Sequence, residues 1–589
     1  MALRRGVRLV MWLIGSAIFV SVAGIGLLYV LVSRGPTVPQ AAALVLRPGG
    51  QIAETVPNDV VGQFLGRGTN TVRAFVDNLR KAKRDARITS VLIMPSSLEL
   101  PYWAKVQELR DAIADFRRSG KKVTAFLEYG GDREYFLASA ADRVYLLPTS
   151  PLDLTGVASY EVFVRGTLDK IGVYPDFLHI GDYKTATNQL TEKSMTPAHR
   201  EMTEALNRDM FDQLVRGIAQ GRRKSEADVR ALIMRGPLLP QEAVTAGLVD
   251  GLAYEDQLDD RVPELRAPSG EMKRIDDADY SRLDAQSVGI RPRSRIAVLY
   301  AVGTIASGKS AFDPINGSIV GSETLVEQIR QVRDDDSIKA IVLRVDSPGG
   351  SSVASDVIWR ELMITRDQKP SRPLITSMSD LAASGGYYIS LPGQTIVAQP
   401  GTLTGSIGIY TGKMVVAGTL DKIGVTQETV MSGGNADIYS PFAKFTPEER
   451  ARVGAFLQDF YGTFLDKVAA SRHSTREQVD RIAQGRVWTG AQAREHGLVD
   501  VLGGLDTAVA IAKQQAKIPA DEDVELVSYP ARRSFYEAIT EPFRGDASVG
   551  LWSMLTGASE ARALAALTAP ARLFRRGEPL ALMPYTFLR

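Results

Sequence analysis

The chain has 589 residues, more than one hydrophobic core usually supports, so two or more domains are expected. A formal net charge of +2 gives no global basic excess for nucleic acid. The absence of cysteine excludes disulfides, thiolate zinc sites and a cysteine nucleophile together.

In chain order, the first signal is Leu9–Val32, an uncharged stretch of about 24 residues that could cross a bilayer core as a helix. Arg4, Arg5 and Arg8 precede it and only Arg34 follows closely, so the positive-inside rule keeps the N-terminus cytoplasmic and puts the rest outside. Ala41, Ala42 and Ala43 would suit signal cleavage. The stretch is longer than the roughly 7–15 apolar residues of a signal peptide, so residues 1–35 are read as a cytoplasmic stub and retained anchor.

The middle of the chain is written twice. Gly166–Val173 reads GTLDKIGV, and Gly418–Val425 repeats it 252 residues later. Near the same offset Ile88-Thr-Ser-Val-Leu-Ile answers Ile338-Lys-Ala-Ile-Val-Leu, Thr196-Pro197 answers Thr446-Pro447, and Gly247-Leu-Val-Asp answers Gly497-Leu-Val-Asp. Four matches in register indicate a tandem duplication, with repeats at 40–260 and 295–515. Residues 261–294 are polar and breaker-rich and read as a linker, and 516–589 form an extension without a recognisable motif.

Each repeat alternates short apolar runs with helical patterns. The first has runs at Ala43–Leu46, Ser90–Met94, Lys122–Leu127 and Arg143–Leu147. The second has runs at Arg295–Ile305, Lys339–Val345 and Pro373–Ser379, with helical spacing of Leu325, Ile329 and Val332 over Glu323–Asp334. Such alternation predicts an α/β fold with largely parallel strands. Thr446-Pro-Glu-Glu supplies an N-cap, a proline at the first helical position and a capping box, so a long helix begins there and another at Thr196.

Two segments of the second repeat carry candidate chemistry. Asp346-Ser-Pro-Gly-Gly-Ser351 follows one strand, and Asp380-Leu-Ala-Ala-Ser384-Gly-Gly-Tyr-Tyr follows the next. A serine between a strand and a helix presents its hydroxyl, small neighbours admit a substrate backbone, and a Pro-Gly-Gly turn can aim N–H groups at an oxyanion. Either segment alone could be an ordinary turn.

The pair of motifs resembles the Clp protease/crotonase superfamily. With Gly401-Thr-Leu-Thr-Gly-Ser-Ile-Gly-Ile409, the repeat and the anchor, it is similar to the long, tandem form of the signal peptide peptidase A family. The resemblance implies a tandem Clp/crotonase-like α/β fold, with Ser384 as nucleophile and the Gly349 and Gly385 N–H groups as oxyanion donors. Its lysine motif, Gly-x-Tyr-Lys, occurs as Gly181-Asp-Tyr-Lys184, which makes Lys184 the expected general base, and it suggests that Ser406 orients that lysine.

Counted by register, Lys184 falls on Gly434 of the second copy, Ser384 falls near Asp132–Glu134 of the first, and SPGG falls on Pro95-Ser-Ser-Leu98. Each copy holds what the other lacks, so one active site shared between repeats is expected, with Lys444 as the rival base. His179, His199, His473 and His496 sit in no triad-like motif. No phosphate loop or metal-ligand cluster stands out, so no cofactor is implied. The expectation is an extracytoplasmic serine peptidase in a bacterial inner membrane, degrading signal peptides and other short apolar peptides, without nucleic acid. The resemblance further implies a homo-oligomer, a tetramer. The alternatives are an inactive membrane scaffold and acyl-CoA chemistry, the latter ill suited to a compartment outside the cytoplasm.

Overall fold

The longest apolar runs are buried on both faces. In Ala42–Leu46, residues 42, 44 and 46 enter one core cluster and residues 43 and 45 another. In Ser294–Val302, Ala297, Leu299 and Ala301 likewise face one cluster, and Ile296, Val298 and Tyr300 the opposite one. Parallel strands covered on both faces read as continuous apolar runs for this reason. The computed structural model describes residues 36–55, 71–266, 273–313, 317–530, 577–584 and 587–588, with isolated helical positions between 12 and 24. The expected span Leu9–Val32 lies, those positions apart, outside the described residues, as does most of 516–589. Among the described residues no helix is long and apolar enough to cross a membrane.

Each repeat builds its own sheet. The first has the order Gly251–Leu252, Arg143–Leu146, Lys122–Leu127, Ile88–Ile93, Ala42–Leu46 and Lys273–Asp276, all parallel. The second runs Val487–Thr489, Leu403–Gly405, Leu374–Ala383, Ile338–Ser347, Ser294–Val302 and Val524–Tyr529, parallel except at Val487–Thr489. The expected boundaries therefore stop one strand short in each copy. Lys273–Asp276 lies in the expected linker and Val524–Tyr529 beyond the expected end of the second repeat. The first of these strands buries only Ile275, so its sequence carries little strand signal.

The long helices start as the sequence predicts. Thr196 caps Pro197–Arg222, and Thr446 caps Pro447–Ser471 in a capping box with Glu449. A third sheet joins the copies, because Tyr174–Ile180 of the first pairs antiparallel with Ile409–Val415 of the second over seven residues. The duplicated octapeptides also meet. The Thr419 hydroxyl donates to the Ile171 carbonyl at 2.6 Å, and a Cβ on Gly172 would lie 2.5 Å from the Gly418 carbonyl carbon. Only glycine permits that approach, which brings the end of the first helix of the pair onto the start of the second.

Candidate active site

The strand Leu374–Ala383 ends at Ser384, and the helix Gly385–Ser390 begins immediately after it. Ser384 has φ 56° and ψ −113°, a sparsely populated conformation costing about 1–3 kcal/mol that persists only where its surroundings enforce it. Here its N–H donates to the Gly405 carbonyl at 2.8 Å, and its carbonyl accepts from Tyr388 at 2.9 Å. The glycines that follow are required by packing. A Cβ on Gly385 would stand 2.6 Å from Ser355 Oγ, and one on Gly386 2.6 Å from the Ser347 carbonyl. The Pro348-Gly349-Gly350 turn abuts this corner, since a Cβ on Gly349 would lie 2.7 Å from the Gly385 nitrogen. Gly349 N–H itself donates to Ser347 Oγ at 3.2 Å.

Lys184 arrives from the other repeat. After Tyr174–Ile180 the chain turns at Gly181 (φ 98°), where a Cβ would strike the Gln484 backbone. Tyr183 N–H donates to the Gln484 carbonyl at 2.9 Å, and Gly485, which leaves room for the Lys184 backbone, donates to Ile407 at 2.8 Å. The second copy thus grips the lysine-bearing turn directly. Tyr183 is fixed at its far end by its hydroxyl, which donates to Glu201 at 2.7 Å, and Glu201 also pairs with Arg486 at 2.8 Å.

The Lys184 amine is fully buried, 2.8 Å from Ser384 Oγ and 3.0 Å from both the carbonyl and the hydroxyl of Ser406. Burial alone pushes its pKa well below the ordinary lysine value, and no carboxylate holds the proton on. A neutral amine has two N–H donors and one lone pair. The two Ser406 oxygens can take the donors, which leaves the lone pair for the Ser384 hydroxyl. Ser406 is itself held at φ 50° by its N–H donating to the Arg486 carbonyl at 2.7 Å.

The rival base is elsewhere. Lys444 is exposed, with its amine 3.7 Å from the Tyr174 ring centroid. His179, His473 and His496 are exposed, and buried His199 faces Glu161 at 3.6 Å. Among the described residues no group of three or more His, Asp and Glu side chains converges as a metal site.

The sequence reading missed a buried ionic layer behind the two motifs. Lys105, from the first-repeat helix Ala104–Arg117, pairs with Asp346 at 2.7 Å and Asp380 at 3.5 Å, and its backbone N–H donates to Asp380 at 3.0 Å. Asp346 in turn accepts from Leu381 N–H at 3.1 Å, tying the SPGG turn to the serine-bearing strand. Burial opposes charge on Lys105, but the two carboxylates outweigh it and raise its pKa. Nearby, fully buried Arg344 makes a bidentate pair with Glu54 at 2.9 and 3.0 Å and a further bond to Glu108 at 2.7 Å. Burial would raise the Glu54 pKa, yet Arg344 brings it down to about 2. Asp346 and Asp380 stand inside the recognised motifs, but nothing local marks Lys105 as their partner, or Glu54 and Glu108 as the partners of Arg344.

The profile described as Peptidase family S49 matches residues 115–267 and again 366–519, one match in each copy. The chain is 34% identical over 488 residues to the Arabidopsis thaliana protein named Serine protease SPPA, chloroplastic, covering 82% of this chain and 71% of that one. It is 34% identical over 524 residues to Protease 4 of Salmonella typhi, covering 85% and 83%. Over 463 residues it is 30% identical to Protease 4 of Haemophilus influenzae, covering 76% and 73%.

Proposed function

The chain belongs to peptidase family S49 and is a serine peptidase, and from that premise we propose that Ser384 is its nucleophile and Lys184 its general base. The observation that carries this reading is the 2.8 Å contact between a buried, carboxylate-free amine and the Ser384 hydroxyl. A serine hydroxyl needs an adjacent base, and a lysine serves as one only when its ammonium is destabilised. The amine takes the Oγ proton as Oγ bonds to the substrate carbonyl carbon. The Gly385 N–H, and the Gly349 N–H once it leaves its 3.2 Å bond to Ser347 Oγ, meet the developing oxyanion, and the ammonium then protonates the departing amine. Water, deprotonated by the same amine, attacks the acyl carbon, the bond to Ser384 Oγ breaks, and the ammonium returns the proton to Oγ. Ser406 keeps the lone pair aimed through both exchanges.

The substrates in this reading are signal-peptide remnants and other short apolar peptides. Leu9–Val32 anchors the enzyme in a bacterial plasma membrane with its catalytic region outside the cytoplasm, supported by the length of that stretch and by Arg4, Arg5 and Arg8 before it. The chain works as a homo-oligomer, a tetramer by family resemblance. A serine-directed fluorophosphonate tests the catalytic core of the proposal. The purified enzyme should be labelled at Ser384 and lose hydrolysis of a fluorogenic apolar peptide as labelling proceeds. Full hydrolysis after labelling elsewhere would remove Ser384 as nucleophile.

A further inference from the structure

Three consecutive residues of the second repeat, Gln484-Gly485-Arg486, touch both supports of the Lys184 amine. The Gln484 carbonyl accepts the Tyr183 N–H at 2.9 Å, and the Arg486 carbonyl accepts the Ser406 N–H at 2.7 Å. Between them the Gly485 N–H donates to the Ile407 carbonyl at 2.8 Å, and a Cβ on Gly485 would stand 2.4 Å from the Lys184 nitrogen. Gln484 holds a left-handed φ of 51°, uncommon for a residue with a side chain. It is kept there by its N–H, which donates to the Tyr461 hydroxyl at 3.2 Å, and by its side-chain amide, which donates to Asp480 at 2.6 Å.

Of these three residues, Arg486 also reaches the lysine turn with its side chain. Its guanidinium lies over the Tyr183 ring, 4.7 Å from the centroid, and over the Trp488 ring at 4.4 Å. Nη1 donates to one Glu201 oxygen at 2.8 Å, and the Tyr183 hydroxyl donates to the other at 2.7 Å. Tyr183, Glu201 and Arg486 thus close a ring of contacts across the two repeats. His496 stands against Trp488, ring centroids 4.2 Å apart, and burial and the Arg486 charge press its pKa down against the pull of Glu495. Arg486 Nε is buried without a hydrogen-bond partner among the described residues. An arginine that served only to meet solvent would turn that donor to water. A flat guanidinium placed over two rings gains cation–π attraction, which a point charge cannot share between both faces so well.

The duplication offers an internal comparison. In the register that matches Thr196 with Thr446 and Gly247 with Gly497, Arg486 falls on Gly236, Trp488 on Leu238 and Glu201 on Ala451. A Cβ on Gly236 would lie 1.9 Å from the Leu154 carbonyl oxygen, so that position admits no side chain at all. The arginine, its ring and its carboxylate occur together beside Lys184 and are missing together from the counterpart positions. We propose that Arg486 is a positioning residue for the general base: its side chain clamps Tyr183, and with it the Lys184 backbone, while its carbonyl fixes Ser406. The inference rests on the Ser384–Lys184 reading given above. Burial is what keeps the Lys184 amine short of its proton, and the clamp holds the turn that buries it. Without the clamp the turn loosens, water reaches the amine, and the 2.8 Å approach to Ser384 Oγ is no longer enforced. Arg486 acts through Tyr183 and Ser406 rather than on the substrate, so its loss falls on kcat and spares KM.

The test is the pH dependence of kcat and KM for a fluorogenic apolar peptide, measured on the full chain in a His496→Gln background, which removes the titrating neighbour of the stack. Arg486→Met should lower kcat about 10- to 100-fold, the scale of a misplacement of up to about 1 Å between reacting groups. Its KM should stay within about twofold, and its acid limb should move to higher pH as the amine regains water. Arg486→Lys, which keeps the charge beside Glu201 but covers the rings less well, should recover part of the rate and of the shift. Tyr183→Phe, which keeps the ring and loses the Glu201 bond, should move both in the same direction by less. Arg472→Met breaks an ion pair with Asp500 away from this turn and should leave the acid limb in place. An Arg486→Met enzyme with wild-type kcat, or one that loses rate with an unmoved acid limb as Arg472→Met would, overturns the positioning role. The base reading is judged apart from it: if Lys184→Ala keeps the wild-type rate, that reading falls and takes this proposal with it. If Lys184→Ala is inactive and Arg486→Met is unimpaired, this proposal falls alone.

Discussion

Ser406→Ala isolates the contact that distinguishes an aimed amine from one that is merely buried. Ser406 offers Lys184 two acceptors, each at 3.0 Å, and the substitution deletes one of them in a fully buried site. In the transition state that donor belongs to an incipient ammonium, for which a hydrogen bond contributes about 1.5–3 kcal/mol. At about 1.36 kcal/mol per decade, kcat should fall roughly 10- to 150-fold. The ammonium loses more than the neutral amine does, so the lysine pKa should move further down and the acid limb of the rate profile should shift to lower pH. The assay is hydrolysis of a fluorogenic apolar peptide as a function of pH. Ser406→Gly serves as control, because glycine relaxes the φ of 50° and also lacks the hydroxyl, so it should be as impaired as alanine. A Ser406→Ala enzyme within twofold of wild type, or one whose acid limb moves upward, would refute the orienting role. Recovery in the glycine variant would trace the loss to backbone strain instead.

Ser384→Ala should abolish hydrolysis while its circular dichroism and unfolding midpoint stay near wild type; retained hydrolysis counts against the nucleophile. Lys105→Met leaves Asp346 and Asp380 buried without their cation, which should cost about 3–5 kcal/mol and lower the urea midpoint clearly; an unchanged midpoint would mean the layer contributes little. Because burial lowers the Lys184 pKa in the folded state, the unfolded chain binds the extra proton. Stability should therefore rise with pH by about 1.4 kcal/mol per unit between the lowered value and the ordinary one, and be lost as pH falls through the lowered value. Lys184→Met should remove that slope, measured as the difference in urea unfolding between wild type and variant across this range. A reporter fused after Arg589 should be active only outside the cytoplasm, and cytoplasmic activity would contradict the proposed topology.

The strands readable in the sequence were those buried on both faces, such as Lys122–Leu127 and Ile338–Ser347, where apolar side chains are dense enough to mark the element. The Ser384 corner was readable because Ser384, Gly385 and Gly386 stand as one uninterrupted small-residue motif, although the atoms that keep the two glycines small, Ser355 Oγ and the Ser347 carbonyl, come from earlier elements. Lys184 was found only through its motif, since its chemistry comes from a cavity formed by Gln484, Gly485 and Ser406, some 220–300 residues away. The edge strand Lys273–Asp276 escaped notice because one buried isoleucine sufficed for it. Lys105 looked like an ordinary helix cation, and its carboxylate partners lie more than 240 residues further on. Leu580-Ala-Leu is too short to read as a strand by itself and becomes one through pairing with the SPGG turn.

The central claim is that one active site is completed by both repeats, and the most direct measurement is the rate of fluorophosphonate labelling at Ser384 in Lys184→Ala and Lys444→Ala. The amine acts only within hydrogen-bond reach of the hydroxyl, so Lys184→Ala, which empties the position 2.8 Å away, should reduce labelling to the level of Ser384→Ala. Lys444→Ala, on the exposed face of Tyr174, should label like wild type. Labelling that persists in Lys184→Ala, or is lost in Lys444→Ala, would contradict a site built from the two copies.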